Sequence, residues 1–257
     1  MIVRLMGGLG NQFWQYAFGR SMSLRRNEPV QFDLCLTRPY ALDVYNTKVE
    51  LIKKPLQVPI VYTEPSFAFD SEVLEKPIGT AFIGYWQSPK YFFKPEVWRQ
   101  ELTFKEPRSP KAQLTADFLQ ADNTVFIHIR RGDYLNPGTA AYHGNLGHAN
   151  LQKGYYKDAI DYMTEKISNP KFVIFTDDPA WCSQNLPYPV ISGNDFNQHD
   201  DLYLMSQCKH GIGANSSFSW WGAWLGEHKG GIYIFPKKWF NADIDTSDLV
   251  PSRWTRL

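Results

Sequence analysis

Val125-Phe126-Ile127-His128-Ile129-Arg130-Arg131-Gly132-Asp133-Tyr134 is the stretch on which the reading of the fold turns. Its apolar start reads as a buried strand, and the polar residues that follow read as the loop it runs into. In an open α/β sheet the ligand sits outside the carboxyl ends of the strands, which is where the two arginines fall. A guanidinium keeps its charge at any working pH and offers a planar fork of donors suited to phosphate. The competing reading is a surface arginine pair bridged to Asp133, which would contribute little. The position beyond a buried strand favours a grip on a diphosphate.

On both sides of this stretch, strand and helix patterns alternate. Residues 2–6 form an apolar run that meets Gly7-Gly8-Leu9-Gly10-Asn11-Gln12, after which Phe13, Tyr16, Ala17, Arg20 and Leu24 recur at helix spacing. Residues 30–34 read as a second strand and complete a β-α-β unit. Residues 37–80 hold several prolines and read as loop-rich. A strand over 80–85 leads into Trp86-Gln87-Ser88, and a helix is expected over 91–104. Glu106-Pro107-Arg108-Ser109-Pro110 is the linker candidate. It divides the chain into expected domains of 1–107 and 108–257. In the second, helices over 111–120, 155–167, 200–208 and 220–225 alternate with strands over 124–130, 171–175, 210–214 and 231–235. Residues 135–153 read as a long loop. The alternation predicts an α/β fold with parallel sheets and helices on both faces.

Composition narrows the function classes. The chain is 43% hydrophobic and 21% charged, as in ordinary soluble globular proteins. A formal net charge of +1 gives no bulk field for nucleic acid, so any anion site must be local. Cys35, Cys182 and Cys208 are odd in number and lack C-x-x-C spacing, which argues against a disulfide framework or a zinc site and fits a reducing compartment. The first residues run into glycines, unlike a signal peptide, and no apolar run approaches the roughly 20 residues that span a bilayer. The expected location is the cytoplasm, with room for peripheral contact at the inner face of the membrane. Aromatic residues make up 16% of the chain, nine of them tryptophans. Core packing is the favoured use for most, over stacking on sugars.

Other motifs read differently alone and together. Asn215-Ser216-Ser217-Phe218-Ser219 joins an expected strand to a helix. Its serines would cap any helix, and beside two arginines they would also cradle a phosphate. The glycine turn at 7–10 matches neither G-x-G-x-x-G nor the Walker pattern, and Asn11 is its side chain best placed to touch a ligand. Asp201 reads as an ordinary acid in a first helical turn. Thr176-Asp177-Asp178 raises the question of a divalent cation, but no third ligand stands at a recognisable spacing, so no metal is expected. Trp220, Trp221 and Trp224 read as core.

Taken together, GGLGNQ-x-x-QYAFGR at 7–20, GYWQS at 84–88, HIRRGDY at 128–134, FTDDP at 175–179, DLYLMSQCKH at 201–210, ANSSFSWWGAWL at 214–225 and PKKWF at 236–240 resemble the α-1,2-fucosyltransferases of glycosyltransferase family eleven. The resemblance runs along the whole chain. It implies two Rossmann-like domains in a GT-B-like fold, with an acceptor-side N-terminal domain and a C-terminal domain that binds GDP-fucose. It implies inverting, metal-independent transfer of fucose to the 2-hydroxyl of a terminal galactose, on an oligosaccharide or a lipid-linked glycan. GDP-fucose would be a co-substrate and no cofactor would be needed. By position, Arg130 would bind the β-phosphate with Arg131 beside it, or Arg131 would hold the loop through Asp133. His128 and Asp201 would read the guanine. Ser216, Ser217 and Phe218 would hold the diphosphate and the base or ribose, and Asn11 would face the donor. Asp133 and His143 are both candidates for the base. The segment after His143-Gly144 departs from the family pattern, which leaves the acceptor open. A GDP-mannose or UDP-sugar transferase, or a non-catalytic GDP- or glycan-binding module, are the alternatives.

Overall fold

Two parallel sheets organise the chain in this computed structural model, which describes residues 1–35, 39–52, 60–136, 138, 153–193, 196–228 and 230–257. The residues gather into two compact units, Met1–Pro107 with Asp245–Pro251, and Arg108–Ile244 with Ser252–Leu257. The sequence reading leaves 245–251 with the second domain, whereas that segment packs with the first unit. Asp248 pins it there, accepting from the Phe69 backbone N–H at 2.8 Å and pairing with Lys90 at 2.5 Å.

The first unit contains β1 (Ile2–Leu5), α1 (Leu9–Arg26), β2 (Gln31–Leu34), β3 (Val61–Thr63), β4 (Ala81–Ile83) and the short α2 (Pro95–Trp98). The strand order is β2-β1-β4-β3, all parallel. Gly7 turns the chain out of β1 with φ +74°, and a Cβ there would lie 2.5 Å from Asn11 Nδ2. α1 ends at Asn27, which takes the left-handed conformation with Arg25 and Arg26 in the last turn. Phe13, Trp14, Tyr16 and Phe18 of α1 are buried, and Phe18 stacks on Trp86 at 4.2 Å. The helix expected over 91–104 is broken into two 3-10 turns and α2. Pro95 cannot lie inside a helix, so it starts one, after Lys94 in the left-handed region. β3 escaped the sequence reading because it is three residues long in a proline-rich segment.

The second unit contains α3 (Pro110–Gln120), β5 (Thr124–Ile129), α4 (Gly132–Leu135), α5 (Lys153–Lys166), β6 (Lys171–Thr176), α6 (Pro179–Asn185), α7 (Gln198–Gln207), β7 (His210–Ile212), α8 (Ser217–Leu225), β8 (Tyr233–Phe235) and β9 (Thr255–Arg256). Its order is β6-β5-β7-β8-β9, again all parallel. Every residue of β5 is buried. Val125, Ile127 and Ile129 share one apolar cluster with Ala159 and Met163 of α5, each burial being worth roughly 2 kcal/mol. Phe126 and His128 alternate onto the other face. The Phe126 ring lies where a Cβ on Gly211 would approach within 2.2 Å, so β7 is glycine at that point. Trp220, Trp221 and Trp224 are buried in α8, as the sequence suggests. Among the described residues no helix is long and apolar enough to cross a membrane.

In the second sheet the connections diverge to opposite sides between β5 and β7, since β5 leads to β6 on one side and β7 to β8 on the other. Such a switch point opens a crevice at the carboxyl ends of the strands.

Candidate functional site

The switch point of the second sheet gathers most of the residues singled out in the sequence. β5 delivers His128 and the two arginines, and β7 delivers the turn at 213–217. The arginines separate at once. Arg130 Nη2 pairs with Asp133 at 2.6 Å and its Nη1 with Asp177 at 3.0 Å, and its guanidinium lies 5.5 Å from the Tyr134 ring. Arg131 turns the other way. Its guanidinium lies 3.6 Å over the Trp181 ring and its Nε donates to Asp178 at 3.0 Å. The alternative in which Arg131 holds the loop through Asp133 is thereby corrected: Arg131 does hold a loop, but through Asp178 and Trp181. One reason is that Asp178 is already fixed as the cap of α6, accepting from the Trp181 N–H.

Asp177 and Asp178 therefore serve the arginines. Asp177 accepts from the Arg131 backbone N–H at 2.8 Å as well as pairing with Arg130. A Cβ on Gly132 would lie 2.5 Å from Asp177 Oδ2, so glycine at 132 is what admits this carboxylate. Gly132 also opens α4, where the sequence reading had only loop. No group of three or more His, Cys, Asp or Glu side chains among the described residues could hold a metal ion.

His128 is buried and its ring lies 5.6 Å from that of Phe218. Burial, reinforced by the charge of Arg130, holds its pKa down to about 3, so the imidazole is neutral in any ordinary buffer. Its Nδ1 has no hydrogen-bond partner among the described residues. Ser216 caps α8, accepting from the Phe218 N–H at 3.3 Å, and Ser217 is the first residue of that helix. Asn215 is buried and donates to the Trp239 carbonyl at 2.9 Å, which explains the PKKWF block as a support for this turn. Tyr134 ties the two loops together, its hydroxyl donating to the Asn215 carbonyl at 3.1 Å.

Asp200 and Asp201 are neighbours in the first turn of α7, yet they differ in use. Asp200 closes a capping box with Asn197 and takes the guanidinium of Arg108 at 2.9 Å. Asp201 bonds the Ser192 hydroxyl, and its Oδ1 is buried with no partner among the described residues. Burial pushes its pKa up to about 7 against the lowering effect of that bond, with the Asp200 charge adding to the rise. Ser192 also accepts from the Thr176 N–H at 2.8 Å, and Thr176 pairs with Ile129 in the sheet. Asp201 thus belongs to the same end of the sheet as His128. Nothing local in the sequence marked it; the signal is the tertiary link through Ser192.

Asn11 lies at the start of α1 in the first unit, where its Oδ1 accepts from Gln87 Nε2 at 2.9 Å. His143, a candidate base, lies outside the described residues. The sequence reading also passed over Glu64, which accepts from the backbone N–H groups of Tyr85 and Trp86 at 2.6 and 2.9 Å. A single glutamate in a loop-rich segment carries no local signal.

The profile of Glycosyl transferase family 11 matches residues 65–257. An alpha-1,2-colitosyltransferase of Escherichia coli is 34% identical over all of this chain and 98% of its own length. The galactoside 2-alpha-L-fucosyltransferase Sec1 of Mus musculus is 28% identical over 56% of this chain and 41% of its own length. Among solved structures, apo POFUT1 matches 93% of this chain and 97% of its own, with a TM-score of 0.51 at 12% identity. That likeness concerns the fold, which is α/β of the GT-B type.

Proposed function

The chain belongs to glycosyl transferase family 11, and on that premise we propose that it moves L-fucose from GDP-fucose to the 2-hydroxyl of a terminal galactose, with inversion and without a metal. The second unit takes the donor and the first takes the acceptor. The observation that carries the donor assignment is a pair of buried polar atoms without partners among the described residues, His128 Nδ1 and Asp201 Oδ1, at the end of the sheet where Arg130 stands. Such atoms cost stability unless something pairs with them. A carboxylate accepts from both N1–H and the exocyclic amine of guanine, a pattern that adenine lacks. Phe218, whose ring lies 5.6 Å from that of His128, flanks the base or ribose.

In the reaction the bond between the anomeric carbon and the β-phosphate oxygen breaks, and GDP leaves with the electron pair. The acceptor oxygen bonds to the opposite face of that carbon and loses its proton. Arg130 meets the charge growing on the β-phosphate, together with Ser216, Ser217 and the N-terminus of α8. To do so it exchanges its bond to Asp133 for one to phosphate. Asp133 is then released as a proton acceptor, with His143 the other candidate. Arg131 supports the loop.

The full-length likeness to a colitosyltransferase favours a second reading, GDP-colitose as donor. Colitose is fucose without its 3-hydroxyl, so the nucleotide site would be unchanged. The test is a transfer assay with GDP-fucose, GDP-colitose, GDP-mannose and a UDP-sugar across galactose-ended acceptors, with linkage analysis of the product. Fucosyl transfer in α-1,2 linkage is expected. Preference for GDP-colitose establishes the second reading, and transfer only from a UDP-sugar overturns both.

A further inference from the structure

The carboxyl ends of β1 and β4 in the first unit have a chemistry of their own. The turns that follow these strands, 6–12 and 84–88, contain no charged residue. They carry amides, which donate and accept and so match the hydroxyls of a neutral sugar. Gln15 ties the two sides together, accepting from the Met6 N–H at 2.9 Å and donating to the Gly84 carbonyl at 3.1 Å. Gln87, nearly buried, donates to Asn11 at 2.9 Å.

Glu64, just after β3, brings a charge into this setting. Its two oxygens each accept one of two successive backbone N–H groups, Tyr85 at 2.6 Å and Trp86 at 2.9 Å. A carboxylate thus fills the concave pair of amides that would otherwise suit an external anion. The fit is close: a Cβ on Gly84 would lie 2.4 Å from the Glu64 Cβ. Trp86 has φ +57°, a left-handed backbone that a bulky residue adopts only when its surroundings hold it there. Glu64 grips its N–H, and Phe18 stacks on its ring. Gln87 is the next residue.

We infer that Glu64 is a positioning residue for the acceptor: it fixes the 84–87 turn and so sets the Gln87–Asn11 amide pair that meets the acceptor hydroxyls. The inference rests on the reading that the first unit takes the acceptor sugar. Burial raises the Glu64 pKa to about 7 against the two backbone bonds. Tyr85 and Tyr91 are the titratable groups that feel its charge, and burial holds both phenols above their usual range. Protonation puts a hydrogen on one oxygen and weakens its hold on the turn, so acceptor affinity should fall with pH through neutrality.

The experiment compares wild type, Glu64→Gln and Glu64→Asp in initial-rate transfer with a galactose-ended acceptor, alongside GDP binding by calorimetry. Glu64→Gln is expected to raise the acceptor KM on the order of tenfold, because an amide nitrogen replaces one of the two acceptors. GDP affinity stays unchanged. Lowering the pH from 8 to 6 raises the acceptor KM of wild type and leaves that of Glu64→Gln flat, with Glu64→Asp intermediate. If Glu64→Gln does not fold, Gln87→Ala, with Glu64 intact, must show the same KM-only defect. Transfer by wild type with an unaltered acceptor KM in the variants overturns the role of Glu64. So does a parallel loss of GDP affinity, which marks a merely structural effect. A wild type that transfers no sugar to any acceptor overturns the functional reading, and the inference with it.

Discussion

At the carboxyl ends of β5 and β6 the chain places two guanidinium groups within reach of three carboxylates, whereas at those of β1 and β4 it places amides beside the half-buried Glu64. Both sets of residues stand at the carboxyl ends of parallel strands. What differs is the kind of ligand each can hold. A departing diphosphate needs charge that is always present, and arginine provides it. A sugar hydroxyl needs partners that both donate and accept, which amides provide. Under the proposed function, departure of the nucleotide falls to the second unit and recognition of a neutral sugar to the first.

The largest effect should come from Arg130→Ala. Loss of the group facing the leaving phosphate is expected to lower kcat on the order of 10³-fold with little change in acceptor KM, read from initial rates. Near-wild-type turnover would break the contrast, because the crevice of the second unit would then not handle the charge. Gly132→Ala should come next. Its Cβ would displace Asp177 and with it the anchor of both arginines, so kcat should fall while a circular-dichroism melt stays cooperative.

A pH titration of GDP affinity sharpens the same contrast more gently. In the proposed donor site Asp201 would accept from guanine as a carboxylate, and burial raises its pKa to about 7. Affinity should therefore be complete near pH 8 and decline by up to about tenfold on going to pH 6, where the group takes up a proton. His128, already neutral above about pH 3, adds nothing in that window. Asp201→Asn should remove the slope. The same substitution should raise the melting temperature at pH 8, since a raised carboxyl pKa means the folded state disfavours the ionised form there. The smallest functional effect is expected for Arg131→Ala, which loses a stack on Trp181 and an ion pair with Asp178. Stability should drop by about 1 kcal/mol and kcat should change only a few-fold.

The sequence made the architecture legible wherever period and punctuation agreed. The apolar run 125–129 and the glycine turn after β1 announced strands, and the serine turn announced the cap of α8. Short or interrupted elements were not legible. β3 spans three residues, and Pro95 splits what helical spacing suggested was continuous. At the site, residue types were readable but their partners were not. Two aspartates after β6 resemble half of a metal site until the fold sets them against Arg130 and Arg131. Asp200 and Asp201 look equivalent until Arg108 takes one and Ser192 the other. Glu64 acquires its role only when β3 aligns beside β4 and brings it to the amides of Tyr85 and Trp86. Such long-range pairings have no period in the sequence.

The claim at the centre of the account is that the crevice between β5 and β7 reads guanine and grips its diphosphate. The direct test is calorimetric titration of GDP and UDP into wild type and Asp201→Asn. The account predicts that wild type binds GDP at least about tenfold more tightly than UDP, the discrimination expected of a buried acceptor matched to base donors. It predicts that Asp201→Asn loses most of this preference while its weaker UDP affinity stays the same. Equal affinity of wild type for the two nucleotides, or an equal loss of both in the variant, would contradict it.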